Sequence, residues 1–207
     1  IRIDNCDEVG ISLVQVFGVS VHSGKKYRGA FACNDEIINR VWEASAYTLY
    51  LNNNKYITDG IKRDRLVWIG DMHPETVSVL RLFGNDPSIR RSLDYIRDIT
   101  ELPAWMNDIP SYSMWWCKIQ RDLYWYTGDS GYLAKQLPYI GELCGQLLGC
   151  VKPDGTYDVG YKFIDWPSSD QPAAQDLGIR SLLSLSLRSC LEIFHVFGYA
   201  SRDGAIG

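Results

Sequence analysis

Residues 173–197 read AAQDLGIRSLLSLSLRSCLEIFHVF, and their pattern decides the kind of fold to expect. Leu177, Leu182, Leu183, Leu185, Leu187, Leu191, Ile193, Phe194 and Val196 make a helix that is apolar nearly all round. Such a helix has no polar face to offer water, so other helices must enclose it. His195, on the same stretch, is expected as a satisfied core residue rather than a ligand.

Working back along the chain, helical spacing recurs over about Tyr132–Val151, Tyr112–Thr127, Pro87–Thr100 and Met72–Phe83. Gly84-Asn85-Asp86-Pro87, Pro103, Pro110 and Gly128-Asp129 punctuate these stretches. An earlier helix begins at Asn34 or Asp35, either of which can cap it, and runs to about Leu51. Its Ile37, Ile38, Val41, Trp42, Ser45 and Leu49 share one face. Loops of uneven length suit a helical toroid or solenoid better than a four-helix bundle, and no fixed-period repeat supports TPR or HEAT arrays. Val9–Val21 is β-branched and apolar and reads as one or two strands, and Tyr27–Ala32 reads as another short strand, at the end of a preceding β domain. The domain reading is therefore residues 1–32 as the end of a β-sandwich-like domain with its linker, and 33–207 as a helical domain.

The chain has 207 residues, 46% apolar and 22% charged, with a net charge of −4, as in ordinary globular proteins. It has no basic excess to attract nucleic acid, and no apolar run of the roughly 18 residues needed to cross a bilayer. Seven Trp and thirteen Tyr suit either a large helical core or sugar recognition, where a ring covers the apolar face of a pyranose. The six Cys form no C-x-x-C pair and have no His at zinc spacing, so they read as small buried apolar residues. No metal and no cofactor are expected. The chain starts at Ile1 and stops just after an apolar helix, so it reads as a piece of a longer protein and leaves the compartment open.

Chemistry concentrates in Thr58–Glu75, TDGIKRDRLVWIGDMHPE. Three carboxylates (Asp59, Asp64, Asp71), three cations (Lys62, Arg63, Arg65) and Trp68 lie in what reads as a connection. Glycoside hydrolysis needs one protonated carboxyl beside the leaving oxygen and one ionised carboxylate across the ring. Crowding among Asp59, Asp64 and Asp71 favours a retained proton, and the neighbouring arginines oppose it. Simpler readings stand beside this one. Asp71 can cap the following helix with Glu75 in its first turn, the Asp/Arg alternation can be a surface ion-pair cluster, and Asp59-Gly60 can be a turn. Asp165-Trp166-Pro167 can form a sugar-stacking wall or plug the end of the helices. Of Trp115 and Trp116, one is expected in the core and one towards a cavity.

The run Asp59–Asp71 resembles the signature of the α-L-rhamnosidases of glycoside hydrolase family 78, in its D-G-x-K-R-E/D-R-x-x-W-x-G-D form. Gly29–Asp35, Asn39–Trp42, Gly128-Asp129 and Asp165-Trp166 extend the resemblance over roughly residues 29–200. It implies a mainly α (α/α)6 six-hairpin toroid, about half of it present, and an inverting hydrolase that removes terminal α-L-rhamnose. By position it implies Asp64 as general acid, and Asp59, Arg63, Trp68, Asp71, Asp165 and Trp166 as substrate-binding residues. Many members have Glu where Asp64 stands. The family's general base is a Glu in a later loop, beyond this chain, so the partners implied are a rhamnoside and the remainder of the catalytic domain. The alternatives are a catalytically inactive rhamnose- or glycan-binding toroid, and an (α/α)6 glycosidase acting on another sugar.

Overall fold

A computed structural model describes residues 10, 12–60, 62 and 64–199. Six α-helices follow one another: α1 Glu36–Asn52, α2 Met72–Phe83, α3 Pro87–Asp98, α4 Pro110–Thr127, α5 Ser130–Gly149 and α6 Pro172–Val196. A short 3-10 turn, Met106–Asp108, precedes α4. The helices start where the sequence supplies caps. Asp35 accepts from the Ile37 and Ile38 amides, Asp86 from Ser88 and Asp129 from Tyr132. Gly128, at φ 68°, ends α4 in the left-handed conformation that glycine adopts without penalty.

The even-numbered helices form the spine. α4 packs most extensively against α6, and α2 against α4. Contacts at both ends show that α2 and α4 run in the same direction. Gly70 meets Tyr112 before the helices begin in earnest, and the Tyr126 hydroxyl donates to the Leu80 carbonyl near their far ends (3.0 Å). Met114, Trp116, Ile119 and Leu123 of α4 are buried among Ile140, Leu143 and Leu147 of α5 and Ile179, Leu182 and Ile193 of α6. Trp116 is wholly enclosed, and its indole N–H donates to the Leu93 carbonyl of α3 (3.1 Å). An ionic network crosses the spine. Asp122 of α4 meets His73 of α2 at 3.2 Å, Lys118 and Arg121, and Arg121 continues to Glu192 of α6 at 2.6 Å.

Three expectations need correction. Among the described residues there is no strand, and residues 12–33 lack regular structure. β-branched composition favours extended backbone, but a strand also needs a neighbour for its ladder, and none is described here. Instead, residues 25–29 lie on the end of α2. The Arg28 amide donates to the Leu82 carbonyl at 2.6 Å, and Lys25 pairs with Asp86 at 2.9 Å. Second, the helix faces are real but unevenly covered. Ile37, Ile38 and Val41 of α1 and Leu177 of α6 are exposed, because no described element lies over them. Third, His195 is exposed, because it falls on the uncovered side of α6. The free thiols divide: Cys117 and Cys190 are buried, whereas Cys33, Cys144 and Cys150 are partly so.

Candidate functional site

The connection between α1 and α2 folds back on itself. The Asp59 amide donates to the Leu66 carbonyl (3.2 Å), and the Asp59 carboxylate accepts from the Leu66 amide (3.1 Å). This pair closes a short loop that carries Asp64, half-buried, next to Arg65 at φ 54°. Arg63 lies outside the described residues. Beyond the loop the chain is clamped by Asn107. Its side chain accepts from the Ile69 amide and donates to the Val67 carbonyl, both at 3.1 Å. Val67 and Ile69 are buried, so the segment is held on two sides.

Gly70 then passes so close to the Tyr112 ring that a β-carbon would stand 2.1 Å from its Cε1 atom. Asp71 occupies the N-cap position of α2, yet its side chain makes no capping bond. Its carboxyl is therefore not committed to the helix end. Partial burial, and then the charge of Asp59, raise its pKa. Glu75 lies one turn further along α2, on the same face. Burial, and then the charges of Asp71 and Asp59, push its carboxyl up to about 7. Neither Asp71 nor Glu75 forms an ion pair or side-chain hydrogen bond among the described residues. The charges of Asp59 and Asp71 thus both act on Glu75, so the three carboxyls share one neighbourhood. No group of His, Cys, Asp and Glu among the described residues is arranged to hold a metal ion.

Aromatic rings connect this neighbourhood to the loop before α6. Trp68 meets Tyr112 edge-on at 6.2 Å, Tyr112 meets Phe163 at 6.3 Å, and Phe163 meets Trp166 edge-on at 5.2 Å. Tyr161 stacks on Phe163 with planes 9° apart. The Ser111 hydroxyl donates to the Phe163 carbonyl (2.5 Å) and the Gln175 side chain accepts from the Ile164 amide, fixing the loop to α4 and α6. Burial, and then the charge of Asp71, raise the Tyr112 pKa to about 12, so it stays a neutral hydroxyl. Trp166 is 79% exposed, a large apolar surface at the rim. The Asp165 carboxylate accepts from the Ser168 amide and hydroxyl, which ties it into its own turn. Of the Trp pair, Trp116 is the core member and Trp115 stacks on His73 at 4.9 Å.

Asp59, Trp68 and Asp71 are thus gathered with the starts of α2 and α4, and Trp166 joins them through intervening rings. Sequence reading missed Glu75, Asn107, Tyr112 and Tyr161 in this setting. Only Glu75 left a usable signal, its spacing of four from Asp71 on a helix.

The sequence model of the bacterial α-L-rhamnosidase six-hairpin glycosidase domain matches residues 26–193, most of the chain. The chain belongs to that family. Its six helices form part of a six-hairpin glycosidase domain. The structure is also similar to one titled as a GH78 family rhamnosidase of Bacillus sp. GL1, with a TM-score of 0.73 at 22% sequence identity. At that identity the likeness is one of fold. The superposition covers 86% of this chain and 20% of the Bacillus chain, so this rhamnosidase-family chain spans about one fifth of that enzyme's length. No curated protein sequence matches it.

Proposed function

We propose that the chain contributes the acid side of an inverting glycosidase that releases terminal α-L-rhamnose. The closure of Asp59 on Leu66 supports this reading, because it ties the loop bearing Asp64 back to Asp59, whose charge acts on Asp71. In this reading Asp64 protonates the glycosidic oxygen as its bond to the anomeric carbon breaks. Water attacks that carbon from the opposite face and loses its proton to a carboxylate supplied from outside this chain. Asp59 and Asp71 accept hydrogen bonds from rhamnose hydroxyls, and Arg63, next to Asp64 in the sequence, is a further substrate-binding residue. Trp68 and Trp166 offer apolar faces to the sugar ring and methyl group, and Asp165 steadies the Trp166 loop.

The test is turnover of p-nitrophenyl α-L-rhamnopyranoside and of a natural rhamnoside by the protein expressed from its full reading frame, beside Asp64→Asn. Loss of the acid is expected to slow the natural rhamnoside about 10²–10⁴-fold and the nitrophenyl substrate less, since nitrophenolate leaves with little help. NMR of the first product should show inverted anomeric configuration. Retention would remove the inverting mechanism, and rhamnose binding without turnover would make the protein a sugar-binding toroid.

A further inference from the structure

Between α1 and α2 lies a cavity of about 970 Å³. Asp59 and Glu75 line it, as do Phe31, Trp42 and Leu49. Phe31 and Trp42 stack with centroids 6.4 Å apart and planes at 29°, so the cavity lining combines an aromatic pair with two carboxyls. This combination suits a sugar, whose ring presents an apolar face and whose edge presents hydroxyls.

The acidic part of this lining has a chemical deficit. An ionised carboxylate only accepts hydrogen bonds, whereas each sugar hydroxyl has one proton to give and two lone pairs to fill. Asp59 and Asp71 can take protons from hydroxyls but fill no lone pair. Glu75 stands on the same face as Asp71, is largely covered, and has its carboxyl uncommitted among the described residues. We propose that Glu75 is a substrate-binding residue whose carboxyl donates a hydrogen bond to a hydroxyl of the sugar held by Asp59 and Asp71.

The surrounding charges support the donor role. Asp59 and Asp71 both disfavour ionisation of Glu75. Among the described residues, Arg81, further along α2, is the one cation lining the cavity, and α1 lines it with uncharged residues only. From α4, Tyr112 faces Asp71 as a neutral hydroxyl. His73 is turned away to Asp122. Once ionised, Glu75 loses its donor and adds a second negative charge to the cavity wall beside that of Asp59, with Asp71 one helical turn away.

The inference rests on the sugar-pocket reading above, and its test separates the two. L-Rhamnose binding is measured by calorimetry on the protein from its full reading frame at about pH 5.5 and about pH 8.5, either side of the value at which Glu75 titrates. Hydrolysis of p-nitrophenyl α-L-rhamnopyranoside is followed in parallel. Wild type is expected to bind about tenfold more weakly at the higher pH, the loss of one hydrogen bond to the ligand. Glu75→Gln keeps a donor without a titrating proton, so its affinity should no longer change over that range. Glu75→Ala should bind about tenfold more weakly than wild type at the lower pH, with its melting temperature as the control for folding. Unchanged binding by Glu75→Ala in an enzyme that turns over, or wild-type pH dependence retained by Glu75→Gln, would overturn the role of Glu75 alone. A wild type that neither binds nor hydrolyses rhamnosides would overturn this role and the proposed function together.

Discussion

Gly70 lies flat against the ring of Tyr112, with no room for a side chain between them. Tyr112 cannot easily retreat, because it is buried and held between Trp68 and Phe163. Gly70→Ala should therefore either push the ring off its neighbours or lift the segment that carries Asp71. A loss of about 1–3 kcal/mol in urea unfolding is expected, as for overpacked cores, together with lower turnover in the test of the proposed function. An unchanged denaturation midpoint would mean the ring relaxes freely.

Asn107 holds the Val67–Ile69 segment, since its side-chain amide pairs with Ile69 and Val67, and its backbone sits at φ 51°. Asparagine tolerates that left-handed conformation better than most residues. Asn107→Ala removes both bonds and adds backbone strain. A loss of about 2–3 kcal/mol is expected by thermal or urea unfolding. Hydrogen exchange should show the Ile69 amide exchanging faster, and an unaltered rate there would contradict the clamp.

Glu75 should make stability fall as pH rises. Its pKa is raised from an ordinary 4.5 to about 7, so the folded chain keeps a proton that the unfolded chain releases in this window. The stabilisation is full below about 4.5 and is lost as pH passes about 7. The raised pKa of Asp71 acts in the same direction. Glu75→Gln should flatten the dependence and raise stability at pH 8 by on the order of 2–3 kcal/mol. Melting curves across that range check it, and parallel curves for wild type and variant would refute it.

Asp122 should act with the opposite sign. Burial pushes its pKa up, but hydrogen bonds from His73, Lys118 and Arg121 outweigh burial and hold it well below the usual carboxylate range. Its stabilisation is present above the ordinary carboxylate value and is lost as pH falls through the lowered one. Asp122→Ala leaves His73 of α2 and Lys118 and Arg121 of α4 without their shared partner. A loss of about 2–4 kcal/mol at neutral pH is expected, shrinking in acid. Equal destabilisation at pH 7 and in strong acid would count against the network.

Much of the helical architecture was legible because its causes are local. Asp35, Asp86 and Asp129 sit where helices begin, Gly128 where one ends, and apolar spacing fills the stretches between. The Asp59–Asp71 run marked the family because its spacing is unusual and continuous. The strands expected before residue 33 do not form among the described residues, because β-branched composition reports a preference for extended backbone and says nothing about a pairing partner. His195 was misplaced for a related reason. Periodicity shows that a face is apolar, but only neighbouring elements decide whether it is covered.

By itself, the sequence determined where helices start and stop and which short run carries the carboxylates, since both depend on residues a few positions apart. Tertiary structure alone decided what surrounds each carboxyl. Asn107 comes from 38 positions beyond Ile69 to clamp it, and Phe163 comes from far along the chain to Tyr112. Asp71 makes no capping bond, and Glu75 is set one turn beyond it, covered and within reach of the charges of Asp71 and Asp59. Proton affinity depends on burial and on charges through space, and neither is written in sequence spacing.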